Sequence, residues 1–438
     1  MQLSKIKKLI ADNSLNKSSA LLKFLDDNWN LYSEHDLRDI AEYANANRQK
    51  NSAYYTDEFI VKDIIDSLPI LKKNTISLLE PAVGTGNFLL PFIDRMASLY
   101  DHITITINDI DADSLKIAMF FLSKKQLPDN IEIKYSNCDF LGHLFFIDNK
   151  YDYVIGNPPF QRISKKIANS FGNDVTNLAG QLLLKAMSIS NIVALVMPKN
   201  FLSTKDYEEA RDKVTERSLD MIIDFGEKGF KGVLIETIAL IISKTGDDKV
   251  RVHSYIDNSD NILPMQYIAD KSYPIWLIYR NAFFDKIAKD MRFNIFTVFR
   301  DRQITNSILA DNGDIPVIKS RNICKDGSGI RHIKNYDAYI SVQKAKKLRV
   351  MKYYSDNNIY LVPNMTYYPR MLKKQGKYIV NGSVAILQLK PNESIDSKQV
   401  KFFATELFRE FYKIARNKGT RSLNIDSTSV FWFGKYVG

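Results

Sequence analysis

The sequence predicts an α/β fold: a doubly wound, seven-stranded Rossmann-like sheet, followed by a C-terminal mixed α+β region. Three observations predict it. Between residues 51 and 250, short apolar runs alternate with helix-length segments, the signature of successive βαβ units. The first run, Ile76-Ser77-Leu78-Leu79, feeds directly into a glycine turn, Glu80-Pro81-Ala82-Val83-Gly84-Thr85-Gly86-Asn87-Phe88, and then into a helix. Past residue 250 the alternation fades into short β runs among Lys, Arg, Tyr and Asn. The chain therefore divides into a helical cap (1–50), an α/β domain (51–250) and a basic domain (251–438).

Composition narrows the class. The 438 residues, 45% hydrophobic and 25% charged, are those of a globular protein of two ordinary domains. The longest apolar runs are strand-length, so no membrane span is expected, and Met1-Gln2-Leu3-Ser4-Lys5 lacks the apolar core of a secretion signal. Cys138 and Cys324 are too few for a disulfide framework or a Cys-based metal site, and a cytoplasmic, metal-free protein is expected. Charge is unevenly distributed. Residues 1–250 carry 30 Lys/Arg against 34 Asp/Glu, whereas residues 251–438 carry 31 against 16. A basic half joined to a slightly acidic one points to a domain that grips a polyanion.

In chain order, Leu21-Leu22-Phe24-Leu25 and Leu37-Ile40-Ala41-Tyr43-Ala44 recur at helical spacing and predict the cap, to which no chemistry is assigned. Tyr54-Tyr55-Thr56 precedes a helix over 57–68, with Thr56 as its N-cap. The glycine turn lacks the third Gly of a dinucleotide fingerprint and the Gly-Lys-Ser/Thr of a P-loop. Its glycines let a ligand approach the backbone, and Glu80 at the strand end attracts a cation. A nucleoside with an amino-acid tail and a sulfonium fits better than a pyrophosphate. The second unit, strand 103–107 and helix 112–125, ends its strand at Asn108-Asp109-Ile110-Asp111. Asp109 is the candidate for ribose hydroxyls and Asp111 for a helix cap. The third strand, 131–135, ends at Asp139-Phe140, an acceptor and a ring suited to adenine.

The fourth strand, 151–155, stops on Asn157-Pro158-Pro159-Phe160. Each proline fixes its φ, lacks an N–H and pushes its predecessor towards an extended conformation. The segment thus offers the Asn157 side chain and the Pro158 carbonyl as acceptors with few competing donors. Two acceptors on a stiff loop suit an exocyclic amino group, whose nitrogen becomes nucleophilic as its lone pair leaves the ring. Phe160 adds a flat face for a planar base. Polar residues 161–177 then predict a mobile loop. A helix (178–189) and strands at 192–197, 219–225 and 235–243 complete the sheet, and the polar stretch 247–260 marks the domain boundary.

The glycine turn Glu80–Phe88 together with Asn157-Pro158-Pro159-Phe160 resembles the gamma class of DNA amino-methyltransferases, the TaqI-like adenine-N6 family, over roughly residues 50–245. The resemblance implies S-adenosylmethionine as cofactor. Its methionine end would lie near Tyr55, Thr56, Glu80, Ala82, Gly84 and Gly86, its ribose near Asp109 and Ile110, and its adenine near Asp139 and Phe140. Asn157, Pro158, Pro159 and Phe160 would hold the target base, with Phe230 as a second aromatic against it. It further implies double-stranded DNA as partner, a monomer, and a restriction-modification setting with a separately encoded endonuclease. The fourth motif position is Phe where adenine enzymes usually carry Tyr, so cytosine N4 is the nearest alternative target. A protein-glutamine methyltransferase and a catalytically silent DNA-specificity subunit are further alternatives.

In the basic domain, runs at 315–323, 360–363 and 384–389 predict strands and 400–416 a helix. The cluster Thr366-Tyr367-Tyr368-Pro369-Arg370 mixes aromatics with a cation of the base-reading type, and the loop 417–422 suits phosphates.

Overall fold

The computed structural model describes residues 1–45, 56–142, 150–229, 234–366, 368–420 and 424–437. The chain forms two compact units, Met1–Gln266 and Tyr267–Gly438, described separately below.

The first unit is built on β1 (Thr75–Glu80), β2 (His102–Asn108), β3 (Ile131–Ser136), β4 (Tyr151–Gly156), β5 (Ser190–Pro198), β6 (Ser218–Gly226), β7 (Thr237–Ser243), β8 (Lys249–Ser254) and β9 (Ser259–Pro264). They form one nine-stranded sheet in the order β3-β2-β1-β4-β5-β7-β6-β8-β9. Strands β1 to β5 are parallel, and β4 and β7 are buried at every residue, as befits strands covered on both faces. Strand β7 runs antiparallel to both β5 and β6, because the link 227–236 is too short for a crossover helix. The order reverses between β1 and β4, which pair through Leu78–Tyr153 and Leu79–Val154. Ligands bind open α/β sheets at such a reversal, beyond the carboxyl ends of the strands. Topology alone therefore sets Glu80 and Asn157 at the same edge.

The sheet is two strands wider than the seven expected, and the expected boundary at 250 falls inside it. Strand β8 buries Val250, Val252 and Ser254 and exposes Lys249 and Arg251. Its period-two pattern was hidden by a polar composition, because a strand near the sheet edge covers only one face.

Helices α1 (Leu3–Asp12), α2 (Ser18–Asp27) and α3 (Glu34–Ala44) form the predicted cap. Ile6, Leu21, Leu25, Leu37 and Ile40 pack with Ile117 and Phe121 of α6 (Ala112–Ser123) in one apolar cluster. Between them in sequence lie α4 (Glu58–Asp66) and α5 (Leu89–Met96), the latter packed through Leu89, Phe92 and Met96 on the sheet. Asp57, not Thr56, caps α4: its carboxylate accepts from the Phe59 N–H at 3.4 Å. The stretch 161–177 is more ordered than a loop. It contains a helix, Lys165–Ser170, and closes on itself through the Ile163 N–H to Thr176 carbonyl bond (3.0 Å).

In the second unit a four-stranded sheet holds Phe296–Arg300, Val384–Leu389, Tyr360–Pro363 and Leu372–Lys373, and a three-stranded one Ala338–Ile340, Ile315–Ile318 and Ile379–Val380. The expected helix 400–416 is two helices, Ser397–Phe402 and Glu406–Ala415. The break falls where Thr405 caps the second by accepting from the Phe408 N–H.

Because β8 covers the edge of β6 through Met221–Asp224, a fragment ending at residue 250 leaves that edge unpaired. A fragment of residues 1–266 is expected to run as a single monodisperse species with native-like circular dichroism, and 1–250 to aggregate. Size-exclusion chromatography of the two checks this.

Candidate active site

At the carboxyl edge of β1, β2 and β4, a cleft open to solvent is lined by Thr56, Glu80, Ala82, Val83, Gly84, Asp109, Ile110, Asn157 and Pro159, among others.

Its foundation is Asn108, the last residue of β2, with no exposed surface. Its side-chain nitrogen donates to the carbonyls of Pro81 (3.0 Å) and Cys138 (3.1 Å). Its side-chain oxygen accepts from the Ser136 hydroxyl (2.7 Å) and the Cys138 N–H (3.3 Å). One amide therefore ties together the chain ends leaving β1, β2 and β3. The next residue, Asp109, accepts from the Gly84 N–H and the Asp111 N–H, both at 2.9 Å. It braces the glycine turn as well as lining the cleft, and a carboxylate oxygen has a second lone pair for a ligand hydroxyl. Burial pushes its pKa up to about 6, with the Asp111 charge adding and the two backbone N–H groups opposing. Gly86 adopts φ +77°, and a β-carbon there would stand 3.3 Å from that of Ala118, so the turn needs glycine for conformation and for its approach to α6.

Glu80 is only 1% exposed, and among the described residues its Oε2 has no hydrogen-bond partner. Burial holds its carboxyl well above the usual range, Asp109 adds to this, and Arg38 opposes it. A buried carboxylate oxygen facing a cleft with no donor is the complement of a cationic ligand group. Gly156, φ +152°, lets β4 end against this residue: a β-carbon there would lie 3.7 Å from Glu80 Cγ.

Asn157 donates from its side-chain nitrogen to the Thr56 hydroxyl at 3.0 Å. Thr56 thus serves the motif rather than the helix after it, and holds the amide in one of its two orientations. Pro158 is buried, and Pro159 lines the cleft. Phe160 is not among the lining residues. It packs against the sheet core, and its carbonyl accepts from the Asn177 side chain (3.1 Å). Asp139 is exposed, with the Leu141 N–H on its carboxylate (3.0 Å). Phe140 is buried with its ring 4.9 Å from Lys185 Nζ. Neither lines the cleft, nor does Gly86. Tyr55 and Phe230 lie outside the described residues, as does Tyr367 of the aromatic cluster.

The cap contributes what sequence reasoning missed. Ala41, Glu42 and Asn45 line the cleft, and Asn45 donates to Asp111 (3.1 Å) and Ser114 (3.0 Å). Arg38, 6% exposed, donates to the Thr85 carbonyl (2.6 Å) and the Asn87 side chain (3.4 Å). Glu34 accepts from its other side (3.0 and 3.1 Å), and Phe121 lies under the guanidinium at 4.2 Å. A helix of the cap thereby clamps the glycine turn. The available signal was a cation on the apolar face of α3, at a position helical spacing assigns to the interior.

Arg38→Met is expected to loosen the turn, so that amides 83–87 exchange faster with solvent, which hydrogen exchange checks.

Known proteins are similar to this chain. Type II methyltransferase M.VspI of Vibrio sp. (strain 343) is 28% identical over 213 residues, 46% of this chain and 50% of that protein. The chain thus spans about half the length of this curated relative. Among solved structures, the type I restriction-modification methyltransferase subunit of Streptococcus thermophilus is similar at 17% identity, over 55% of this chain and 62% of that one, with a TM-score of 0.43. The type IIL restriction-modification enzyme MmeI, solved in complex with DNA, is similar at 11% identity, over 98% of this chain and 67% of that one, with a TM-score of 0.47. The description N-6 DNA Methylase matches residues 37–266, a span that opens within α3, closes where the first unit closes and includes every cleft residue named above. On that match, covering more than half of its length, the chain belongs to the N-6 DNA Methylase family.

Proposed function

We propose that this chain is a site-specific DNA methyltransferase of a restriction-modification system, transferring a methyl group from S-adenosylmethionine to the N6 amino group of an adenine flipped out of duplex DNA. The observation that carries this reading is the adjacency of two features at one strand edge. The partnerless buried oxygen of Glu80 and the Thr56-held amide of Asn157 line the same cleft.

The residues present fit the cofactor. Glu80 would face its cationic methionine end, Thr56, Ala82 and Gly84 would surround that end, and Asp109 and Ile110 would take the ribose. Bound there, S-adenosylmethionine supplies a methyl group activated by its sulfonium. The target base must leave the stack, because its amino group is paired inside the duplex. The Asn157 side-chain oxygen and the Pro158 carbonyl accept the two amine hydrogens. Held so, the nitrogen pyramidalises and its lone pair turns out of the ring system. The Thr56 hydroxyl keeps the Asn157 nitrogen away from the base, so that an acceptor and not a donor meets the amine. Phe160, outside the lining of the cofactor cleft, and Phe230 would offer the aromatic faces to the base. No side chain bonds covalently to the base, and the surplus proton departs after transfer.

Asn157→Ala is expected to leave cofactor binding nearly intact and cut single-turnover methylation by about 10²–10³, the usual cost of one preorganised polar contact. Quench-flow assays on DNA from a host lacking the gene check this. Mapping modified bases in a host expressing the chain tests the target directly: N6-methyladenine at one sequence is expected, and N4-methylcytosine would overturn it.

A second expectation follows from Asp109. Its pKa is raised to about 6, so acid pH protonates it in the ligand-free fold, whereas a cationic ligand favours the ionised form. The contribution of Asp109 to S-adenosylmethionine affinity is expected to be level above pH 6 and to fall by up to about tenfold per unit below it. The ligand-free fold changes the opposite way, losing stability from this group as pH rises from the ordinary carboxylate range towards 6. Calorimetry across pH checks this, and Asp109→Asn should bind more weakly while losing the step near pH 6.

A further inference from the structure

Resting on the DNA reading above, we propose that one face of the second unit, formed by the loop 319–336 together with Tyr368, is the surface that grips duplex DNA. Two tyrosines organise it. Tyr336 has Lys319 Nζ 4.0 Å and the Arg321 guanidinium 4.7 Å from its ring centre. Tyr368, 46% exposed, has the Arg409 guanidinium at 4.2 Å and Lys325 Nζ at 5.8 Å. Among the described residues, no acid pairs with Lys319, Arg321, Lys325 or Arg331, although ion pairs are frequent elsewhere in the chain. The nearby acids are already engaged: Asp326 by Ser328, Asp337 by His332 and Asn322, and Glu406 by Arg409.

A buried strut holds the face together. Arg370, in the stretch whose cation suggested base reading, is 7% exposed and points inwards. It donates to the Tyr368 carbonyl (2.9 Å), the Thr366 hydroxyl (3.3 Å), the Ser320 carbonyl (3.3 Å) and the Ile323 carbonyl (3.1 Å). It is therefore a positioning residue and not a reader of bases. A guanidinium withdrawn from water needs compensation of this kind, and what it gains is a fixed spacing between the cation-bearing loop and Tyr368.

The chemistry of the face selects the partner. Unpaired cations leaning on tyrosine rings are already ordered, so they lose little freedom when a phosphate oxygen replaces water. Guanidinium groups meet phosphates through two parallel hydrogen bonds, and the aromatic edges give apolar contact beside them. The unit around them carries 30 Lys/Arg against 14 Asp/Glu over residues 267–438, so the field draws a polyanion to this face.

The test uses the full chain with a fluorescein-labelled duplex of arbitrary sequence, its anisotropy titrated across a salt series. Arg321→Ala/Lys325→Ala is expected to weaken binding by roughly tenfold per side chain near 0.1 M salt and to flatten the salt slope by about one unit each. Its calorimetric affinity for S-adenosylmethionine should not change, which shows that the chain is folded. Lys286→Ala/Lys289→Ala, on the helix Ala282–Lys289, removes the same charge elsewhere in the unit and should have little effect. If the control pair weakens binding as much as the test pair, or neither does, the surface is wrong while the DNA reading stands. If the unaltered chain holds no duplex at any salt, the DNA reading fails and the surface with it.

Discussion

The buried amide of Asn108 is the contact on which the cleft depends. It bonds at once to Pro81, Ser136 and Cys138, so the carboxyl ends of three strands cannot drift apart. With that edge fixed, Asp109 reaches Gly84 and the glycine turn acquires its shape. A buried asparagine with both amide ends bonded can exchange none of its partners for water, which makes the arrangement rigid and specific to this side chain.

That rigidity has an electrostatic consequence. Glu80 and Asp109 are drawn into one cleft where burial raises the cost of ionising both, the Asp109 charge adds to it at Glu80, and Arg38 offsets part of it there. A cationic ligand in such a cleft would relieve that cost. The cap belongs to this balance, because its Arg38 opposes the rise at Glu80.

The second unit uses burial of charge differently. Arg370 and Lys374 are both interior and both donate to carbonyl oxygens, Lys374 to those of Tyr354 (2.9 Å) and Gly376 (2.6 Å). Cations in this unit therefore include struts that shape loops as well as side chains exposed at the surface. Composition counts both alike, and only burial separates them.

The sequence by itself determined what depends on near neighbours. Short apolar runs and helical spacing gave strands β1 to β7 and most of the helices between them. The proline pair gave the abrupt end of β4, and the glycine turn with Glu80 and Asp109 marked the edge at which the cleft lies. The edge strands β8 and β9 escaped because they carry few apolar residues, and Thr56 was read as a helix cap because a hydroxyl before a helix is locally indistinguishable from one. What only the tertiary structure decided are contacts between distant residues. Arg38 meets Thr85 across 47 positions, and Asn157 meets Thr56 across 101. Local periodicity reports which face of an element is buried but not what it is buried against. Partners that far apart are chosen by chain topology and packing, and no pattern within one element records them.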